Sequence, residues 1–368
     1  MFKGTGTRTA GDIARAIDSV GGQLDAFTDK EHVGVYARVM DMHAARAFEI
    51  LSDIVLNPSF RAVEIRRERN VIFEEINTVE DSPQDLIHDL YLESLWPDHP
   101  LGRPISGTKE SVARITRKDI LAFFRRHYCA RNMVLTVAGS LRHREIHSLA
   151  ERHFGGLAAG TPADGGVPPQ MSAARRIRAK ANLEQIHICL GTGCPPLSLE
   201  DRFGAHLLCT ILGGGMSSRL FQNVREKRGL VYSIESTLNL FRDTGTLVVS
   251  AAAVPEAAAE VVGLILKELK KLREAPVAAG ELRRAKDFLQ GSLMLGLEAS
   301  GSRMAHLAQQ HIYFGRIYSL RQILRFLENV RAGDVRRLAG ELFRSSALNL
   351  TALGSNSGPD LETVPLRV

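Results

Sequence analysis

The sequence is poor in the features that mark membrane, secreted and disulfide-bonded proteins. No run of about 18 consecutive apolar residues occurs, which excludes a transmembrane helix. The first residues lack the apolar core of a secretory signal, so we expect none. The four cysteines form no C-x-x-C pair. We therefore expect reduced, mostly buried thiols and a cytoplasmic location.

Charge of one sign is not concentrated in any block of the chain. The 47 Lys and Arg residues exceed the 41 Asp and Glu residues, for a formal net charge of +6, but they are scattered. That pattern is a weak signal for nucleic acid, and no G-x-G-x-x-G motif follows a strand-like segment. We expect neither a nucleic-acid nor a membrane partner. A chain of 368 residues, 44% of them hydrophobic, instead predicts a globular protein of roughly two domains.

Two parts of the chain repeat each other at a nearly constant spacing. Residues 119–140 and 334–355 match at a spacing of 215, and each predicts an amphipathic helix, a loop, a buried strand and a Gly-Ser turn. Residues 64–70 and 281–287 match at a spacing of 217. A strand-like run (33–39 and 246–250) and an apolar helix (44–55 and 257–272) precede the two members of the second pair. The pattern favours an internal duplication over chance similarity.

The duplication predicts two homologous α+β domains, each with helices packed on a mixed or antiparallel sheet. A Gly- and Pro-rich linker at 158–174 separates a domain at 1–157 from one at 175–368. The spacing of 215 places Met1 opposite Met216. In the second domain, residues 175–215 lie before that point and predict a strand and a helix. We therefore expect a first domain without this strand and helix, either because the copy is shorter or because the sequence starts inside it.

Two carboxylates stand out on the helix predicted for residues 62–77. Glu68 and Glu75 are two turns apart and share one helix face. The matching positions of the second copy hold Ala285 and Ser292, so the helix is repeated and the carboxylates are not. This difference suggests a site in the first domain. The alternative is a solvated acidic face balanced by the neighbouring arginines.

A glycine triplet in the second domain is a candidate for ligand contact. Gly213, Gly214 and Gly215 permit close approach of a backbone. The segment before them predicts a helix and no Lys follows, which argues against a phosphate-binding loop. Contact with a peptide backbone and an ordinary helix-ending turn both remain open.

Arg225 and Tyr232 form a second candidate group, close to the glycine triplet in sequence. Together they could place a cation and a phenol near a polarised carbonyl. The alternative is a helix end followed by a glycine stop.

The chain as a whole resembles the pitrilysin or insulinase family of zinc peptidases, the inverzincins, which include the mitochondrial processing peptidase and its bacterial homologues. The resemblance covers essentially the full length. It is carried by several motifs, which are Phe2-Lys3-Gly4-Thr5, Gly21-Gly22, Asp25-Ala26-Phe27-Thr28, Glu68-Arg69-Asn70-Val71-Ile72 with Glu74-Glu75, Trp96 to Pro104, Gly213-Gly214-Gly215, and Arg225 with Tyr232.

The resemblance implies a zinc site with two histidines and one glutamate as ligands and a second glutamate as general base. Glu75 matches the glutamate ligand, and Glu68 matches the glutamate that supports the site from the outer shell. The family's H-x-x-E-H motif lies immediately before the segment that matches Phe2-Lys3-Gly4-Thr5, and only Met1 precedes that segment here. One carboxylate cannot hold catalytic Zn²⁺ tightly, so we expect this chain, as written, to bind zinc weakly and not to hydrolyse peptides.

The resemblance also implies how substrate binds. Residues Asp25, Ala26, Phe27 and Thr28 match the edge strand that a substrate peptide joins by β-augmentation, with Asp25 where the family usually has Asn. The glycine triplet matches a substrate-contacting loop. Arg225 and Tyr232 match the second-domain pair that contacts substrate and transition state.

The resulting hypothesis is a truncated zinc endopeptidase that cleaves extended peptides. The alternative is a non-catalytic peptide-binding or scaffolding subunit of a two-subunit peptidase. The expected partners are a peptide or an unfolded protein and, for pairing between chains, a second copy or a catalytic family member.

Overall fold

A computed structural model describes residues 1–163, 165–171, 173–355 and 361–368. These residues form two compact units. Unit 1 comprises Met1–Asn77, Ile105–Gly166 and Gly296–Ile317, and unit 2 comprises Thr78–Pro104, Val167–Leu295 and Tyr318–Val368. Unit 1 thus includes Gly296–Ile317 from the second half of the sequence, and unit 2 includes Thr78–Pro104 from the first half. The chain passes from unit 1 to unit 2 between Gly166 and Val167, inside the predicted linker. Positions 164 and 172 of that linker lie outside the described residues. The predicted domain boundaries stay a prediction.

The strands are β1 (Gln23–Thr28), β2 (Val33–Arg38), β3 (Arg175–Ala179), β4 (Ile186–Cys194), β5 (Val231–Leu240), β6 (Gly245–Ala253) and β7 (Leu348–Gly354). The helices of the first half are α1 (Ala10–Asp18), α2 (Ala44–Leu56), α3 (Ala62–Asp81), α4 (Pro83–Leu95), α5 (Lys109–Arg114), α6 (Arg117–His127) and α7 (His143–Phe154). Those of the second half are α8 (Leu199–Gly213), α9 (Ala258–Glu274), α10 (Ala279–Gly296), α11 (Ser300–Phe314), α12 (Leu320–Asn329) and α13 (Ala332–Leu342).

Unit 2 is built on a five-stranded mixed sheet in the order β3-β7-β4-β6-β5. β3 runs parallel to β7, and the other neighbours are antiparallel. Because successive side chains of a strand point to opposite faces, Ile188 and Leu190 pack in the cluster with α8, α9 and α13, whereas Cys189 packs in the cluster with α4. The sheet is therefore covered on both faces, which explains why its central strands are buried almost throughout.

Unit 1 contains an antiparallel pair, β1 and β2, and a much smaller core. The core is formed by α1 and α2, with Ile13, Ile17, Ile50 and Ile54 buried. The Thr5 hydroxyl, also buried, donates a hydrogen bond to Asp53 Oδ2 at 2.8 Å and ties the first residues to α2. The helices and sheets of the two units confirm the α+β class that the sequence predicts.

One predicted element is wrong. The sequence predicts a buried strand after α6, in the segment 133–138, but that segment forms no strand and exposes Val134 and Leu135. Its repeat counterpart, β7, lies between β3 and β4 and is wholly buried. An apolar segment becomes a strand only when neighbouring strands pair with its backbone, and the described residues of unit 1 provide no such neighbour for 133–138.

All four cysteines are buried free thiols, as the sequence predicts. Burial raises the pKa of the Cys209 thiol to about 11 and that of the Cys194 thiol to about 12. Within the described part of the chain, no helix combines the length and apolar character needed to cross a membrane. The cytoplasmic location stays a prediction.

Candidate functional site

Glu68 and Glu75 both lie on α3, the long helix of unit 1. Seven helical residues correspond to a rotation of about 20°, so the two side chains share one face, as predicted. Lys3 Nζ lies 3.0 Å from Glu68 Oε2, an ion pair that lacks the geometry of a hydrogen bond. Glu75 is exposed, and no ion pair or hydrogen bond of its side chain occurs among the described residues.

Two of the arginines beside these glutamates have other partners. Arg67 pairs with Glu64 at 3.0 Å, and Arg69 donates a hydrogen bond to the Ile115 carbonyl at 2.8 Å. Arg66, the third neighbouring arginine, is exposed, so the alternative of a solvated acidic face balanced by arginine stays open. The role of Glu75 as a ligand stays a prediction.

β1 carries the predicted peptide-binding residues in unit 1. Within the described residues it has a single hydrogen-bonded neighbour, β2, so its other edge presents unpaired backbone groups. Asp25 is held by hydrogen bonds from the Ala26 amide at 2.8 Å and the Tyr36 hydroxyl at 3.3 Å. Phe27 lies over Gly34 of β2, where a side chain would clash with its ring. β1 is thus hydrogen-bonded to β2 along one edge, and its other edge can pair with an added strand.

A groove of about 640 Å³ adjoins this strand inside unit 1. Its apolar lining comes from α1 and the start of β1, and its polar lining includes Asp25 and Tyr36. Concave apolar sites with a few polar groups are the usual form of binding pockets. The lining residues all lie between Phe2 and Tyr36. Sequence reasoning missed the groove because it forms only when α1 packs against β1, which local periodicity does not specify.

In unit 2, the glycine triplet ends α8 and has two different roles. A Cβ atom on Gly213 would lie 2.7 Å from the Ser236 amide nitrogen of β5, and one on Gly214 would lie 2.6 Å from Thr210 Cα. A Cβ on Gly215 would meet only the Phe288 ring, at 3.7 Å. The first two glycines therefore satisfy packing, and only Gly215 is free to approach a ligand.

Arg225 and Tyr232 are brought together in unit 2. Arg225 lies on a π-helix, Phe221–Glu226, with its guanidinium carbon 4.6 Å from the Phe221 ring centroid and 5.4 Å from that of Tyr232. Tyr232 is 82% exposed. The register of β5 shifts between Val231 and Ile234, and such a bulge redirects the side chains it contains.

Two buried or half-buried ion pairs hold this region and were not found from the sequence. Arg219 forms a bidentate pair with Glu281 of α10, with both N–O distances 2.7 Å. Glu268 of α9 is buried and accepts from Asn223 at 3.0 Å, and Lys271 lies 2.6 Å from the same oxygen. These contacts fix both ends of the segment before Arg225. The spacing of Glu268 and Lys271 on one helix is a signal that the sequence could have shown. The contacts of Arg219 with Glu281 and of Asn223 with Glu268 have no such signal, because the partners lie far apart in the chain.

Comparison with known proteins identifies the family. The sequence model described as Insulinase (Peptidase family M16) matches residues 1–109, and that described as Peptidase M16 inactive domain matches residues 114–289. An uncharacterized zinc protease of Mycobacterium leprae is 40% identical over 349 residues, which cover 93% of this chain and 78% of that protein. The chain belongs to peptidase family M16. A Bacillus subtilis M16 relative, also named an uncharacterized zinc protease, is 35% identical and covers 93% of this chain and 83% of its own length.

Solved structures share the M16 fold. A protease from Helicobacter pylori aligns with a TM-score of 0.88 at 21% identity, over 96% of this chain and 86% of that one. A peptidase M16 inactive domain from Pseudomonas fluorescens aligns with a TM-score of 0.89 at 20% identity, over 97% and 87%. At these identities the likeness shows the fold alone.

The M16 relatives are named zinc proteases, and zinc belongs to the chemistry of the family. In the part of the chain that the structure describes, no group of three or more His, Cys, Asp or Glu side chains could hold a metal ion. Glu75 is a single candidate ligand. These residues by themselves therefore do not fit a tightly bound zinc ion.

Proposed function

We propose that these residues form the peptide-binding framework and the distal-carboxylate part of a zinc metalloendopeptidase that acts on extended peptides. The observation that carries the proposal is the unpaired edge of β1. A groove of mixed polar and apolar lining lies beside the start of the same strand. A peptide that adds a strand there gains backbone hydrogen bonds from the edge, and the groove receives alternate side chains.

The carboxylates of α3 support the metallopeptidase part of the proposal. Glu75 is exposed and, among the described residues, uncompensated, which suits a metal ligand. Glu68 has the role of a supporting group on the same face. The 368 residues contain no H-x-x-E-H motif, so these residues alone hold zinc weakly and do not hydrolyse peptides.

In unit 2, Arg225 and Tyr232 offer a cation and a phenol to a peptide carbonyl. Their support is the exposure of the phenol and the anchoring of the segment before Arg225 by buried acidic groups. Gly215 supplies a backbone surface next to them in sequence. The proposed partner is a peptide or an unfolded protein.

Peptide pairing with β1 is testable without altering the protein. We would titrate the chain with a fluorescent extended peptide and with two versions N-methylated at alternate residues, in the two possible registers. An added strand directs every second amide toward the sheet. One register should weaken binding by roughly tenfold or more, because each lost backbone hydrogen bond costs about 1 kcal/mol, and the other should bind normally. Equal effects of both registers would contradict β-augmentation.

The metal part of the proposal has a separate test. Zinc bound per chain is measured after equilibration and desalting, and hydrolysis of a fluorogenic peptide is followed with and without added Zn²⁺. We expect far less than one zinc per chain and no hydrolysis. Stoichiometric zinc or chelator-sensitive cleavage by these 368 residues would overturn this part.

A further inference from the structure

A large aromatic side chain of unit 2 is exposed beside the glycine triplet. Phe288 of α10 is 50% exposed. A Cβ atom on Gly215 would lie 3.7 Å from its ring, so the bare backbone of Gly215 lies close to the ring. A larger side chain at this position would extend toward the ring and cover part of it. The lack of a side chain at Gly215 therefore keeps the Phe288 ring accessible.

The loop that follows the glycine triplet is held against this side of α10. Arg219 of the loop forms the bidentate pair with Glu281 of α10. Glu281 and Phe288 are seven residues apart, which places them on one face of the helix. The Gln222 side chain donates a hydrogen bond to the Met216 carbonyl at 2.8 Å. The loop therefore keeps a defined position beside Phe288.

The same loop offers unpaired backbone donors and an apolar side chain. No hydrogen bond of the Met216 or Ser217 amide occurs among the described residues. Met216 is also 76% exposed. Methionine is flexible and polarisable, and an aromatic ring offers a large apolar face, so both adapt to apolar groups of varied shape. The loop thus presents donors to a peptide carbonyl and, together with Phe288, an apolar surface.

Comparison with α3 shows which charges this part of α10 lacks. At the spacing of 217, α10 has Ala285 and Ser292 where α3 has Glu68 and Glu75. Phe288 lies three residues after Ala285 and four before Ser292, so the three side chains share one helix face. The positions that hold the predicted metal-site carboxylates in α3 are therefore uncharged in α10, and an aromatic ring lies between them.

We propose that Phe288 and Met216 form a subsite of unit 2 that receives one large apolar side chain, aromatic or aliphatic, of the bound peptide. The peptide backbone follows the loop at Gly215, and the apolar side chain lies on the Phe288 ring. Binding removes the side chain, the ring and the methionine from water, which favours apolar over small polar residues at this position. The subsite rests on the proposed peptide-binding function and makes Phe288 a specificity determinant.

The experiment measures the affinity of the full chain for fluorescent extended peptides by fluorescence anisotropy. Each peptide carries one Phe, which moves by one position from each peptide to the next, and each has a partner version with Ala in its place. At the position that reaches Phe288, Ala should weaken binding to the wild type roughly fivefold or more. The same replacement should weaken binding to Phe288→Ala by less than about twofold, because the contacting ring is gone.

Met294→Ala is the matched control. Met294 lies on the same helix, is 48% exposed, and points about 120° away from Phe288. This variant should keep the full difference between the Phe and Ala peptides. Circular dichroism checks that both variants are folded. A general loss of structure would weaken both peptides alike and leave the ratio of their affinities unchanged, so that ratio reports the direct contact.

Two outcomes would overturn the subsite. If the ratio is the same in the wild type and in Phe288→Ala at every position of the Phe, Phe288 does not contact the peptide. N-methylation in one register would then still weaken binding if the proposed function is correct without the subsite. If none of the peptides binds, the proposed function fails together with the subsite.

Discussion

Gly213 shows at the scale of one residue how a helix end depends on a neighbouring strand. We predict that Gly213→Ala lowers the free energy of unfolding of unit 2 by about 1–3 kcal/mol, because the added Cβ meets the Ser236 backbone. Gly215→Ala is the matched control and should change it by less than about 0.5 kcal/mol. Trp96, the single tryptophan and a buried residue of unit 2, reports the transition in urea. Equal effects of both substitutions would contradict the packing role of Gly213.

A second residue-scale prediction concerns pH. The hydrogen bonds from Arg219 lower the pKa of Glu281 below its usual value, against the opposing effect of burial. The pair therefore stabilises the fold at neutral pH, and this stability is lost as the pH falls from the unfolded value, about 4.5, through the lower folded value. Glu281→Gln should cost about 1–2 kcal/mol at pH 7.

The pH dependence of the destabilisation by Glu281→Gln provides the control. The difference between wild type and Glu281→Gln, measured in urea by Trp96 fluorescence, should shrink steadily below pH 4.5 as the wild-type carboxylate is protonated. The substitution Arg283→Gln, at an exposed ion pair of the same helix, should have little effect at either pH. A difference that stays constant down to the lowest measurable pH would exclude this electrostatic account.

At the scale of elements, the two copies of one helix have very different environments. Leu90 of α4 is 3% exposed in the core of unit 2, and its repeat counterpart Leu307 of α11 is only half-buried. We predict that Leu90→Ala costs about 2–5 kcal/mol and Leu307→Ala about 1 kcal/mol or less. Guanidinium unfolding followed by far-UV circular dichroism measures both. A larger cost at Leu307 would contradict the prediction, because it would require tight packing of the Leu307 side chain.

The bulge in β5 and the π-helix before it are also element-scale features, and they decide where Tyr232 and Arg225 lie. Both depart from regular geometry by one residue. Departures of this kind recur at functional sites, where they aim a side chain that a regular strand or helix would place elsewhere. The sequence indicated the residue pair, but only the irregular backbone brings the two side chains into contact.

For the whole molecule, the two units should differ in stability. Unit 2 contains the large cores on both faces of its five-stranded sheet, and unit 1 has a small core beneath a two-stranded sheet. Because local opening follows buried apolar contact, we predict that amides of β1 and β2 exchange roughly 100-fold or more faster than those of β4 and β7. Hydrogen-exchange mass spectrometry measures this. Similar protection in all four strands would contradict it.

Local sequence patterns were enough to predict several of the helices. The apolar periodicity at 44–55 and 257–272 predicts helices whose ends lie within two residues of the ends of α2 and α9. The periodicity at 62–77 predicts α3, which extends four residues farther. Such patterns are local, since a helix satisfies its own backbone hydrogen bonds. The repeat spacing was also readable, as was the pairing of Glu68 with Glu75 on one face. All of these depend on residues within a few turns of one another or on sequence similarity.

Which apolar segments become strands, and which segments share a unit, depends on long-range contacts. The segment 133–138 has the same apolar pattern as β7, yet only β7 is a strand, because a strand needs partners from elsewhere in the chain. The placement of α4 in unit 2 and of α11 in unit 1 is equally non-local. The physical reason is that backbone pairing and burial depend on distant neighbours, which local periodicity does not specify.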